Sequence, residues 1–330
     1  MTQPPIRSIT KAKRQRTLAV LVLALAGVLS LTQCGSSDDG SEGRRGSFGE
    51  RDLPADAGVE ERITAYTSSF SEDSGYDRPT RDERRAVADG VALLLDRHRS
   101  RAERRLADVD FRVRTVTEPS TGRRYAEVSD RLDVAGDSEA PRGWGRAYID
   151  LDSPIRWSVQ VPHPVADRST EHLGAALLSR SPGGVLVIAG AHRKAGRGDE
   201  ADVAHRRKSV FHAICDELAK RGVPGIQVHG MADDSAPRYD VVASTGRGRE
   251  AVAEGRDLAD ALRRRGYEVC RAWARSCPLE GRRNVQGRTA WAEETEFLHV
   301  EFGAGIRDSR AGRRKAVAAM AAVTRDWRRM

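Results

Sequence analysis

Aromatic residues make up only 5% of this 330-residue chain, and beyond residue 31 no apolar run approaches the ~20 residues that a membrane helix requires. With 32% of its residues charged, a multi-span membrane protein is excluded. The four cysteines include no CxxC pair, so a cysteine-based structural zinc site has no frame. Also missing are a GxSxG elbow, a Walker loop and a GxGxxG turn after a strand. Serine-nucleophile, P-loop and dinucleotide chemistries therefore lack an anchor, and Ser244 to Gly248 is only a glycine-bearing turn. Lysine is scarce, six of 56 basic residues, and the arginines are scattered beside Asp, Glu or Ala, which reads as compositional bias. Of the net charge of +8, Arg7, Lys11, Lys13, Arg14 and Arg16 supply five, leaving +3 interleaved with acids. No nucleic-acid partner is expected from so weak a field.

What is present begins with an export signal. Five cations precede the apolar stretch Leu18 to Leu31, which is followed by Thr32, Gln33, Cys34 and Gly35. Leu31 to Cys34 resembles a bacterial lipobox, with Gln33 in place of the customary small residue. The resemblance implies cleavage after residue 33, lipidation (palmitate among the acyl groups) at Cys34, and a membrane partner reached through that anchor at the extracytoplasmic face of the bacterial cell. Residues 34–58 are rich in Gly, Ser and acids, the composition of a flexible tether.

Two regions follow. Residues 59–140 read as a helical segment, with an apolar face at Ala86, Val87, Val91, Leu93, Leu94 and Leu95, and then a β-hairpin around Pro119 to Gly122. Residues 141–330 alternate strand and helix. Strands are expected at Trp157 to Val161, Gly184 to Ala189, Ile226 to Val228, Tyr239 to Ala243, Tyr267 to Ala272 and Phe297 to Phe302. Helices are expected at Thr170 to Leu178, Ala204 to Arg221, Arg249 to Arg265 and Asp308 to Val323. The fold class is α/β, a mainly parallel or mixed sheet with helices on both faces. Cys270 and Cys277, seven apart in a chain bound for an oxidising compartment, are expected to form a disulfide. Cys215 falls on a buried helical stripe with Phe211, Ile214 and Leu218.

Seven of the eight histidines lie in the α/β region. His163, His192 and His229 each follow or end a strand, where open α/β sheets bind ligands. Pro162-His163-Pro164 and His229-Gly230 mark turns that aim a side chain out of the sheet. Glu301, within the strand FLHVEF, is a carboxylate that burial makes costly unless it is paired, metal-bound or catalytic. Together these are the parts of a hydrolytic zinc site: His163, Asp167 and His229 as ligands and Glu301 as general base. Asp167 also reads as a helix N-cap, and Glu171 as a complement to that helix's dipole. His172, His212 and His299 read as surface or packing residues. Asp202 and His205 read either as a helix cap or as a carboxylate–imidazole pair behind the metal.

In residues 160–310 the ordered series His163, Asp167, Thr170, Glu171, then His229-Gly230, then Asn284 to Gly287, then Glu301 and Arg307 resembles the zinc carboxypeptidase-like hydrolases. Within them the phage-type poly-gamma-glutamate hydrolase branch is nearest, with N-formylglutamate amidohydrolases more distant. Asp167 stands where that family has Glu, which leaves Glu171 as the alternative ligand. The resemblance implies zinc and a small-molecule or peptide substrate with a carboxylate beside the scissile amide. It also implies substrate contacts at Asn284 and a guanidinium clamp, for which Arg193 and Arg307 are the candidates. The expected function is a lipid-anchored zinc amidohydrolase acting on a glutamyl peptide, polymer or cell-wall fragment. The alternative is a non-catalytic binding lipoprotein with a degenerate metal site.

Overall fold

A computed structural model describes residues 53–73, 75–133 and 141–327. The export signal, Cys34 and most of the tether lie outside the described residues. Among those described, no helix is long and apolar enough to cross a membrane. The elements run α1 (Val59–Thr67), α2 (Arg81–Leu95), α3 (Arg99–Ala107), β1 (Phe111–Thr117), β2 (Arg124–Asp130), β3 (Arg146–Asp150), β4 (Trp157–Val161), α4 (Thr170–Arg180) and β5 (Gly184–Ile188). They continue with α5 (Val210–Lys220), β6 (Gly225–Gly230), β7 (Val241–Ser244), α6 (Val252–Arg263), β8 (Val269–Arg271), α7 (Val285–Ala292), β9 (Phe297–Phe302), α8 (Ala304–Arg307) and α9 (Arg310–Trp327).

All nine strands join one mixed sheet in the order β1-β2-β3-β5-β4-β6-β9-β7-β8. Its centre, β5-β4-β6-β9, is parallel, whereas β3 and β7 flank it antiparallel. The expected hairpin forms with Phe111 opposite Asp130, and β2 continues onto β3. The amino-terminal region thus extends the sheet, and none of its residues lines the cleft described below.

Three elements depart from expectation. Strand β3 went unrecognised because Arg146 and Asp150 interrupt its apolar pattern although all five of its residues are buried. Helix α5 starts at Val210 rather than Ala204, where Ser209 caps it by accepting the His212 N–H at 3.1 Å. Helix α7 stands outside the expected strand–helix alternation: Asn284 caps it, accepting the Gly287 N–H at 3.0 Å.

Strand side chains alternate between faces, and in the central strands this alternation separates two chemistries. Val159, Val161, Ile226, Val228, Leu298, Val300 and Phe302 point into a core shared with α1, α4, α6 and α9. The opposite face carries a second apolar core toward β3 and β5, where Ala147, Ile149, Val185 and Val187 pack with α2, α3 and α5. Between that core and β7, the same face presents Gln160, Gln227, His229, His299 and Glu301, all buried. Helix α7 packs over this polar strip, against β9 and α5.

Candidate metal centre

At the carboxyl end of β4 the chain turns through His163-Pro164-Val165-Ala166-Asp167, with Val165 at φ 67° and the Asp167 N–H returning to the His163 carbonyl at 2.9 Å. The loop therefore delivers both side chains to one point. In β6, His229 pairs with Glu301 of β9, and Gln227 with His299 one step below. His163 Nδ1 and His229 Nδ1 each lie 3.1 Å from Asp167 Oδ2. His229 stacks on His299, with ring centroids 4.5 Å apart and planes 11° from parallel. Two overlapping sets of metal-ligating groups result: His163, Asp167 and His229, and then His229, His299 and Glu301.

The other ring nitrogens assign the tautomers. His163 Nε2 lies 2.8 Å from Asp202 Oδ1 and His229 Nε2 lies 2.8 Å from Gln227 Oε1. Asp202 is a carboxylate. The orientation of the Gln227 amide is fixed because its Nε2 donates to Gln160 Oε1 at 3.2 Å and Gln286 Oε1 at 3.3 Å, while its Oε1 also accepts from Asn284 Nδ2. Both Nε2 atoms must donate, so in the neutral imidazoles both Nδ1 atoms turn lone pairs toward the Asp167 carboxylate, with Arg193 Nη1 3.4 Å from that of His163. Three acceptors within hydrogen-bond distance repel one another unless a cation or proton sits among them. Two imidazoles and one carboxylate, each imidazole oriented from behind, are a donor set that fits zinc with a coordination position to spare.

Without an ion, the electrostatics put a proton in that place, shared between Asp167 and the imidazoles. Burial opposes the charged form of Asp167, yet the bonds to His163 and His229 outweigh it and hold its pKa below the usual carboxylate range. His163 is also opposed by burial, but Asp167 and Asp202 together raise it. His229, with a single carboxylate and His163 beside it, is lowered by burial, which keeps its lone pair free. Glu301 is pushed up to about 8, first by burial and then by the Asp167 charge.

The structure thus places Asp167 on the imidazoles rather than as the cap of α4, where Ser169 precedes the first turn. Glu171 is turned away, its Oε2 accepting the Val165 N–H at 3.3 Å, so it steadies the turn and offers the centre no ligand. Asp202 serves as the carboxylate behind His163 and also binds His205 Nδ1 at 3.1 Å and Arg193 Nη2 at 2.7 Å. Arg193 and Asn284 line the cleft, which has a volume of about 480 Å³ and also meets Arg282 and Arg283.

Arg307 is a correction. Its guanidinium donates to the carbonyls of Phe302 at 2.8 Å, Met231 at 3.0 Å and Arg168 at 2.5 Å, so it ties together the ends of β9 and β6 and the metal loop instead of clamping substrate. Glycine at 230 is required for this: a Cβ there would sit 2.6 Å from Arg307 Cζ. His192 does not join the centre; its Nδ1 accepts the Lys194 N–H at 3.3 Å. Cys270 and Cys277 form the expected disulfide, and Cys277 borders the cleft. Cys215 is buried and unpaired, its thiol pKa pushed up by burial, as a core residue.

Sequence reasoning missed His299 and the glutamine network. His299 had a signal: in FLHVEF it stands two residues before Glu301 and so must share its face. Its ring is covered by Gly281, at φ 67°, whose absent side chain leaves the room. Gln160, Gln227 and Gln286 had none, because a neutral amide in an apolar strand has no distinguishing pattern.

Two measurements probe this layer. Gln227→Leu removes the acceptor of His229 Nε2 and leaves the Asn284 amide unsatisfied. Zinc affinity by competition with a chromogenic chelator is expected to fall about 10- to 100-fold. An unchanged affinity would mean that Gln227 does not orient the ligand. His212, buried, accepts from Gln286 Nε2 at 3.3 Å, and burial lowers its pKa from 6.5 to about 4. Between those values the unfolded chain takes up a proton that the folded chain refuses, so stability is retained above pH 6.5 and lost as pH falls toward 4, by about 3 kcal/mol in full. Urea titrations of wild type and His212→Gln across this range should show a shallower loss in the variant; parallel curves would contradict the assignment.

The sequence matches no known family profile and no curated protein. Among solved structures, the chain is similar to N-formylglutamate amidohydrolase from Ralstonia eutropha JMP134, at 14% identity over 53% of this chain and 94% of that one, with a TM-score of 0.35. It is similar to a bacteriophage poly-gamma-glutamate hydrolase at 12% identity over 60% of this chain and 94% of that one, TM-score 0.39. It is also similar to YNDL in its zinc-free form, at 14% identity over 58% of this chain and 93% of that one, TM-score 0.38. At such low identity, the chemistry of the centre rests on its own residues.

Proposed function

We propose that this chain is a zinc-dependent amidohydrolase, lipid-anchored at Cys34 on the extracytoplasmic face of a bacterial membrane, acting on an amide that carries a carboxylate. The observation that carries the reading is the inward convergence of His163 Nδ1, Asp167 Oδ2 and His229 Nδ1 beside a buried, proton-holding Glu301. Zinc bound there would polarise the scissile carbonyl and ease deprotonation of water. Glu301, once it has released the proton that its pKa of about 8 holds, takes a proton from the attacking water as a carboxylate and returns it to the leaving amine. Arg193 sits at the cleft wall, 35% exposed, with donors to spare for a substrate carboxylate beyond its bond to Asp202 and its 3.4 Å approach to His163 Nδ1. The Cys270–Cys277 disulfide suits an oxidising compartment.

Release of free amine from gamma-glutamyl and muramyl peptides tests the reading. Zinc-loaded protein should hydrolyse one class, chelator should stop it, and added zinc should restore it. A zinc-loaded protein inert on both classes would favour the binding lipoprotein with a degenerate site.

A further inference from the structure

One wall of the cleft is a single stretch of chain, along which Cys277, Leu279, Gly281 and Arg283 meet the same cavity as His163, Arg193 and Glu301. That stretch has little of its own to hold it there. Residues 273–283 contain no helix or strand. Among the described residues, and apart from bonds to the chain neighbours Arg271 and Asn284, one hydrogen bond ties them to the rest of the molecule: Ser244 Oγ donates to the Glu280 carbonyl at 2.7 Å. The remaining bonds are internal, with the Glu280 carboxylate accepting the Cys277 N–H at 2.7 Å and pairing with Arg282. Leu279 at φ 53° and Gly281 at φ 67° turn the chain back sharply. For leucine that conformation is costly, and a loop keeps it only where its surroundings enforce it.

The enforcement is covalent. Cys270 lies in β8 opposite Val242 of β7, which fixes it in the sheet, and its disulfide fastens Cys277 there. Both cysteines are buried with Met231, Ala236 and Val242 in a small core. Just beyond Cys277, Gly281 covers His299, which stacks on His229; a Cβ at Gly281 would collide with the His299 ring. The metal ligands, by contrast, have supports of their own, Asp202 behind His163 and Gln227 behind His229. Opening the disulfide therefore frees the wall and leaves the ligands in place. Cys277, 8% exposed at the cleft, is the sulfur an exchange partner can reach, whereas Cys270 is 1% exposed.

We propose that the Cys270–Cys277 disulfide positions the substrate-binding wall, so that the cleft binds substrate at full strength only once the pair is oxidised. The binding half rests on the zinc hydrolase reading, and the fastening of the wall does not. Oxidation is a dithiol–disulfide exchange: one thiolate attacks an external disulfide, the other displaces the mixed disulfide, and two electrons and two protons leave with the oxidant as two thiols. A chain on the reducing side of a membrane keeps both thiols and a loose wall. On the oxidising side it gains the bond and a formed cleft.

The test compares the full-length chain in four states: oxidised, reduced with a phosphine that is then removed, reoxidised with oxidised glutathione, and as Cys270→Ala/Cys277→Ala. Each is followed by hydrogen exchange, by zinc competition with a chromogenic chelator, and by steady-state hydrolysis of gamma-glutamyl and muramyl peptides. In the reduced chain and the variant, amides of residues 279–283 are expected to exchange about tenfold or more faster, with β6 and β9 still protected. KM should rise about tenfold while kcat and zinc affinity stay within about threefold, and reoxidation should restore the wild-type chain but not the variant. Unchanged exchange in the wall, or an unchanged KM in a chain that does hydrolyse, overturns the proposal. Protection lost across β6 and β9 as well also overturns it, because the bond would then hold the fold and not the wall. If no state hydrolyses either class, yet exchange in the wall follows the redox state, the fastening stands and the hydrolase reading falls.

Discussion

Replacing Glu301 by Gln is expected to lower amide hydrolysis about 10²- to 10⁴-fold while zinc content stays at the wild-type level. Gln keeps the shape of the side chain and removes only its capacity to take a proton. Glu301 is positioned for that task by β9, which sets it beside His229 across the β6 pairing, and its environment supplies the driving force: burial, then the Asp167 charge, bring its pKa up to about 8. A carboxylate at that value holds and releases protons at neutral pH, whereas an exposed glutamate near 4 does not. The second metal-ligating set, His229, His299 and Glu301, provides the counter-case. If Glu301→Gln loses zinc together with activity, Glu301 is a ligand and the base lies elsewhere; activity within about threefold of wild type would remove it from the reaction.

His163→Ala and His229→Ala should each cost more zinc affinity than the roughly 10- to 100-fold expected for an orienting partner such as Gln227. Each deletes one of the inward lone pairs, and two remaining donors cannot hold the ion against water. The fold should survive, since Asp202 retains Arg193 and His205 after His163 is lost, and His229 occupies the polar strip rather than either apolar core. Zinc stabilises a folded chain in proportion to its affinity, by about 4 kcal/mol at a thousandfold excess over Kd. Thermal unfolding with and without zinc therefore separates the outcomes: the wild-type midpoint rises, and those of the two variants do not. Equal rises in all three would place the ion elsewhere.

Much of this centre could be read from residues because each carried a local anomaly. His163 stands between two prolines, His229 precedes a glycine, and Glu301 interrupts an apolar strand. The strand–helix rhythm then put all three at neighbouring strand ends, as the parallel order β5-β4-β6-β9 has it. What could not be read depended on partners distant in the chain. Arg307 looked like any guanidinium near a cleft until three carbonyls from β9, the end of β6 and the metal loop were seen around it. His299 reads as packing because both faces of β9 are buried, and periodicity alone does not say which face is polar. Strand β3 is obscured by charges whose burial is made tolerable by neighbours elsewhere in the chain, among them Glu127, 3.5 Å from Arg146. The glutamine network sets both the tautomer of His229 and the hydrophilic character of the strip, yet nothing in a neutral amide announces it.

The most direct test is X-ray absorption at the zinc K-edge of the purified protein, with the metal quantified per chain. The geometry predicts about one zinc with two imidazole nitrogens at ~2.0–2.1 Å, oxygen ligands and no sulfur, and loss of one imidazole contribution in residual metal bound by His229→Ala. A chain that takes up no zinc, or a spectrum with the same imidazole count after removal of His163 or His229, would contradict the account.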